Sequence, residues 1–173
     1  MKRFALLICL ILLTNFLYSQ IYSGFEAGYV LPSNSTNEID FGIGGNLLMG
    51  YSFNKNLDFG LTLGKTWFKS IADKYQAKCI RANVNYYFLK KSISPYLGLS
   101  SGLFVNGFKD PLGLEHYENG VGIVPSIGVS FYSFNTSKFR ILTEISYNKI
   151  FTEHQLDYFS FSIGMVYNFH FNQ

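Results

Sequence analysis

Charge is scarce in this chain. Asp, Glu, Lys and Arg make up 14% of its residues, and the formal net charge is +3. Lys2 and Arg3 belong to a leader; without them the charge is +1, which is no electrostatic footprint for nucleic acid. Cysteine is scarcer: Cys9 lies in the leader, so Cys79 is left alone and an intrachain disulfide is excluded. No Cys/His spacing suggests a zinc site, and no metal or cofactor site is expected. After residue 20 no apolar run approaches the roughly eighteen residues of a membrane helix. Nor is there a repeat of roughly 20–50 residues that would signal a solenoid.

The leader is the first thing present. Lys2 and Arg3 precede ten unbroken apolar residues, Phe4 to Leu13, and Leu17-Tyr18-Ser19 offers a small-residue cleavage site before Gln20. That pattern predicts a secretory signal peptide over residues 1–19, with a retained anchor as the alternative. Cys9 lacks a lipobox context, so a lipoprotein is not expected. Residues 20–173 have room for one domain.

Aromatic residues and glycine are abundant there, and the periodicity is two. Eight segments alternate: Tyr22–Leu31, Phe41–Phe53, Leu57–Phe68, Ala77–Leu89, Ser94–Gly107, Gly120–Phe134, Lys138–Asn148 and Tyr158–Phe171. In the last, Phe159, Phe161, Ile163, Met165, Tyr167, Phe169 and Phe171 share one parity and therefore one face. Opposite them stand small or polar residues such as Ser160, Ser162 and Gly164. The same division holds in Leu57–Phe68, where Leu57, Phe59, Leu61 and Leu63 oppose Asp58, Gly60, Thr62 and Gly64. A face so small and poorly charged cannot be the surface of a soluble barrel. It suits a narrow lumen, which turns the apolar face to lipid.

Short connections after the second, fourth and sixth segments and longer ones elsewhere predict periplasmic turns and surface loops, with both termini periplasmic. Pro125, lacking an N–H, predicts a bulge or bend within the sixth segment, unless that segment starts after it. Aromatics near segment ends, Tyr86, Phe88, Phe131, Phe139 and Phe169 on one side and Tyr29, Trp67, Tyr147 and Phe159 on the other, predict two interfacial girdles.

Ser162-Ile163-Gly164-Met165-Val166-Tyr167-Asn168-Phe169 resembles the C-terminal β-signal by which outer-membrane barrels are handed to their assembly machinery. On that resemblance Ser162, Gly164, Tyr167, Phe169 and Phe171 form the assembly signal, although Asn172 and Gln173 follow Phe171 where the family often ends on Phe. The chain as a whole looks like a small outer-membrane barrel of the OmpA, OmpX and OmpW kind, most of all like those of Bacteroidota, whose exported chains often show Ser-Gln at the cleavage point. The expectation is an all-β, eight-stranded antiparallel up-and-down transmembrane barrel, exported by the general secretory route into the bacterial outer membrane. Periplasmic chaperones and the assembly machinery would be its partners in biogenesis, outer-membrane lipid and lipopolysaccharide its surroundings, and no nucleic acid is expected.

Some barrels of this size modify lipid A. The deacylase-type barrels carry a His-x-Ser motif on a strand, and His116, His154 and His170 all lack it. Catalysis is therefore not expected. Asp110, Glu115, His116 and Glu118 match no cation cage. Glu26, Asp58, Arg81, Arg140 and Glu144 share the inward parity, and charges in a narrow lumen should pair. The expected pairs are Arg81 with Glu26, Glu144 or both, and Arg140 with Asp58 or Glu144. Lys65, Lys69, Lys74 and Lys78 gather at one rim and could meet lipopolysaccharide phosphates, or could simply be solvated. The expected role is structural or surface-interacting. A lipid A-modifying enzyme and a narrow pore or secretion accessory are the alternatives.

Overall fold

The computed structural model describes residues 20–33, 39–54, 56–70, 75–89, 92–109, 114–132, 138–152 and 157–169. The proposed leader, Lys74, His154, His170 and Phe171 lie outside them. Eight strands follow one another: β1 (Gln20–Pro32), β2 (Ile39–Ser52), β3 (Leu57–Ser70), β4 (Tyr75–Tyr87), β5 (Ile93–Lys109), β6 (Glu115–Tyr132), β7 (Phe139–Phe151) and β8 (Tyr158–Phe169). Each pairs antiparallel with the next. β1 also pairs with β8, from Ile21 opposite Phe169 to Pro32 opposite Tyr158, and closes the barrel. Closure leaves no free sheet edge around the wall, as a spanning sheet requires.

The stagger can be followed residue by residue. From Gln20, successive partners are Ser52, Asp58, Asn85, Gly98, Ser126, Ser146, Ser160 and then Val30 on the first strand again. One turn around the barrel thus climbs from residue 20 to residue 30 of β1, a shear that tilts the strands. Every residue of this circuit shares the inward parity.

Side-chain exposure divides by parity. Outward residues are exposed and apolar: Tyr29 and Leu103 at 64%, Ile163 at 61%, Leu47 at 60%. Inward residues are buried, among them Asp58, Phe104, Val166 and Asn106 at 0%. The core of this protein is therefore its lumen, and its apolar wall faces outward. Rings band the wall at both rims. Near the termini Phe139, Tyr167 and Phe169 form a ladder with centroids 4.9 and 4.8 Å apart, and Tyr86 packs on Phe88 at 5.6 Å. At the other rim Tyr147 packs on Phe159 at 4.9 Å.

Two expectations are corrected. The connections do not alternate in length; each spans only four to six residues between strands. Residues expected in the third loop pair instead, with Phe108 opposite His116 and Lys109 opposite Glu115, so the β5–β6 hairpin continues upward past its last pairs with β4 and β7. Polar residues at strand ends read as loop, yet a two-stranded ribbon accepts them. The second correction concerns Pro125. It lies inside β6, opposite Leu99, and the β6–β7 register is the same on both sides of it. No bulge forms. Val124 and Pro125 drop out of the ladder with β7 while the ladder with β5 continues, a local gap where the missing N–H would have donated. The irregular register lies elsewhere, between β2 and β3 at Ile39 and Gly42.

Candidate functional site

The lumen is filled in three levels. Nearest the termini, Tyr22, Tyr87, Tyr96, Leu142 and Val166 form a buried cluster. Arg140 enters it from β7. Its Nη1 donates to Asp58 Oδ2 and to the Tyr87 hydroxyl, both at 2.9 Å. Its guanidinium carbon lies 4.6 Å from the Tyr22 ring centre and 5.6 Å from that of Tyr87. An ion pair with side chains 2% and 0% exposed, clamped by two rings, has charge, hydrogen bond and cation–π contact together. Glycines make room for the rings: a methyl group on Gly60 would stand 2.7 Å from the Tyr22 hydroxyl.

The middle level is polar. Glu26 accepts the Asn46 amide at 2.6 Å and the Ser162 hydroxyl at 3.4 Å; Glu144 accepts the Tyr96 hydroxyl at 2.9 Å. Arg81 donates from Nη1 to Asn148 Oδ1 at 3.4 Å. Asn148 and Ser146 both reach Ser160, at 3.0 and 2.6 Å. Arg81, Glu26 and Glu144 line one cavity of about 30 Å³, with Tyr96, Asn83 and Arg140 on its other sides. A polar chamber of that size has room for water. The Nε groups of both arginines are buried with no hydrogen-bond partner.

The third level closes the far end. Val30, Phe68, Ala77, Phe104, Val124, Ile150 and Tyr158 form a second buried cluster, with Phe68 and Tyr158 edge to face at 5.6 Å.

All five inward charges therefore point into the lumen. The expected contact of Arg140 with Asp58 forms. The expected contact of Arg81 with Glu26 or Glu144 does not: no ion pair of Arg81 is present among the described residues, and neutral donors occupy both glutamates. Shared parity places side chains on one face but leaves their angular separation open, and uncharged partners standing closer took the carboxylates. Sequence reasoning also missed Tyr22, Tyr87, Tyr96 and Phe104. The same parity that turned Asp58 inward turns Tyr22 and Tyr96 inward, and it was there to be read.

In β8, Gly164 is inward and buried, Phe169 is outward, and Tyr167 is held between the Phe139 and Phe169 rings. A methyl on Gly164 would lie 2.7 Å from Glu26 Cβ, so a glycine of the motif is also a packing requirement of the lumen. Lys65, Lys69 and Lys78 face outward at the far rim. The Lys65 ammonium sits 4.8 Å above Trp67, and that of Lys69 5.7 Å from Phe41. Lys149, not singled out from the sequence, repeats the arrangement over Phe151 at 5.8 Å. Among the described residues no group of three His, Cys, Asp or Glu could hold a metal ion.

Comparison with solved structures places this fold among small outer-membrane barrels. The chain is similar to Neisserial surface protein A (20% identity, TM-score 0.70, covering 86% of this chain and 97% of that one). It is also similar to Ail, the attachment invasion locus protein of Yersinia pestis (18%, 0.57, 87% and 97%). A third similar structure is OprG of Pseudomonas aeruginosa (14%, 0.56, 88% and 96%). No family model matches the sequence, and no significant match was found among curated proteins.

Proposed function

We propose that this protein is an integral outer-membrane barrel with a structural or surface-interaction role in the cell envelope, acting through its wall and its far rim. The observation that carries this reading is the lumen. Among the described residues two buried clusters flank a polar chamber of about 30 Å³, too small for a substrate. A spanning barrel with a closed interior has only its outer wall and its ends with which to meet anything else. The far rim, with outward lysines over aromatic rings and a hairpin rising above the wall, is the end best equipped for contact. In this reading that end faces the cell exterior and contacts lipopolysaccharide through Lys65, Lys69, Lys74 and Lys78. The end carrying the termini is periplasmic. Ail, named for attachment and invasion and solved with a heparin analogue, gives precedent for a surface role on this fold.

Biogenesis follows the same reading. The leader over residues 1–19 directs export through the general secretory route and is removed, the Ser19-Gln20 junction being of the Bacteroidota kind. Ser162, Gly164, Tyr167, Phe169 and Phe171 present the last strand to the assembly machinery. Phe169→Ser with Phe171→Ser should lower the amount of heat-modifiable barrel in the outer membrane and raise periplasmic degradation.

Placement is tested by labelling intact cells with an impermeant thiol reagent in a Cys79→Ala background. Cysteines at positions 34, 70, 119 and 153 should react, and those at 55, 91 and 136 should not. The reverse pattern would invert the barrel. An altered lipid A profile in a deletion strain, restored by the gene, would replace the structural reading with an enzymatic one.

A further inference from the structure

Lys65 and Lys78 are direct cross-strand partners on β3 and β4, and both are outward. Like charges placed opposite each other destabilise a sheet unless something between them carries the opposite sign. Among the described residues nothing does. The outward residues of β3 and β4 include no Asp or Glu, and at this level β2 presents Ile43, Gly45 and Leu47 and β5 presents Leu103 and Val105. Neither ammonium has a hydrogen-bond or ion-pair partner among the described residues.

Beside the two lysines the wall is indented. Gly45 stands opposite Lys65 on β2, and a methyl group there would meet nothing closer than 3.9 Å. A shallow furrow of about 790 Å³ runs over this point, floored by Phe25, Leu47, Leu63, Ile80 and Leu103, with Lys65 and Lys78 beside Trp67 at its upper edge. An apolar trough on a lipid-facing wall, headed by two cations and an interfacial indole, has the amphipathic layout of one anionic lipid lying along the barrel.

The charge selects the headgroup. Two lysines supply +2. A phosphomonoester carries about −1.5 to −2 near neutral pH and offers three acceptor oxygens, so it can accept from both ammonium groups at once. A phosphodiester carries only a single negative charge. We propose that Lys65 and Lys78, with Trp67 and the furrow at Gly45, form a binding site for one acylated phosphomonoester, lipid A of the outer leaflet, whose phosphoryl group bridges the two ammonium groups while a chain fills the furrow. This deepens the proposed lipopolysaccharide contact and rests on the reading that this rim lies in the outer leaflet.

Native mass spectrometry of the detergent-extracted full barrel tests it without reference to orientation. Lipid A, phosphatidic acid, phosphatidylglycerol and phosphatidylcholine are offered in turn. Lipid A and phosphatidic acid should be retained about tenfold better than phosphatidylglycerol. Lys65→Gln with Lys78→Gln should abolish that preference, whereas Lys149→Gln should leave it intact. Gly45→Leu, which fills the furrow and keeps both lysines, should weaken retention of every lipid while preserving the headgroup order. Equal retention of phosphatidylglycerol, or an unchanged preference in the double glutamine variant, would overturn the site. Failure of the orientation reading would show separately, in the cell-labelling pattern, with the lipid preference intact.

Discussion

Two arginines enter the same lumen and are treated differently. Arg140, at the level nearest the termini, contacts its carboxylate at 2.9 Å and is clamped by tyrosine rings. Arg81, at the middle level, faces two glutamates across a small chamber and donates to an asparagine at 3.4 Å. The difference teaches that burying charge in a narrow barrel has two solutions. One is a rigid pair in an aromatic clamp. The other is a loose set whose members each hydrogen-bond a neutral neighbour and whose fields balance across a gap. The first resists perturbation by geometry, the second by having substitutes.

The largest effect is expected where the ion pair is most deeply buried. Arg140→Met removes the ion-pair partner of Asp58, whose side chain is 0% exposed. Unfolding by urea in lipid vesicles should show a loss of about 3–5 kcal/mol. A loss under about 1 kcal/mol would mean that Asp58 is reached by solvent and that the clamp is not a sealed level.

Charge counting ranks the middle level. With Asp58 committed to Arg140, Glu26 and Glu144 remain with Arg81 alone. Removing both carboxylates, Glu26→Gln with Glu144→Gln, leaves a guanidinium that cannot shed its proton, and should cost about 2–3 kcal/mol in the same assay. Each single glutamine variant keeps one carboxylate for one guanidinium and should stay within about 1 kcal/mol of the parent. Additive single effects would deny that the glutamates share Arg81. Smaller again is Arg81→Met, about 1–2 kcal/mol, because Asn46, Ser162 and Tyr96 go on donating to the two carboxylates. If Arg81→Met proved as costly as Arg140→Met, the distinction between clamp and chamber would fail.

How much of this was legible beforehand follows from what parity encodes. Alternation in Leu57–Phe68 and Tyr158–Phe171 was enough to assign faces, and so to send Asp58 and Gly164 inward and Phe169 outward. Parity says nothing about which inward side chains meet. That depends on the stagger, by which Gln20 and Val30 lie on one hydrogen-bonded circuit, and no single strand contains it. The Arg81–glutamate contact failed for this reason. The third loop failed for another: His116, Glu118 and Asn119 are polar residues on strand pairs with Phe108, Asn106 and Val105, and the polarity was read as irregular backbone. Lys149 and Lys65 carry the same signal, a lysine two residues before an outward ring, but Lys149 lay at a predicted strand end and was passed over.

The central claim is that the interior is a packed core and not a passage. Conductance of the purified barrel in planar bilayers tests it most directly, with the parent and Arg81→Met measured side by side. Both should insert without opening steps, because the clusters around Phe104 and around Tyr87 close the lumen on either side of the chamber. Sustained steps from the parent would contradict the account. Steps from Arg81→Met alone would turn the chamber from a plug into a gate.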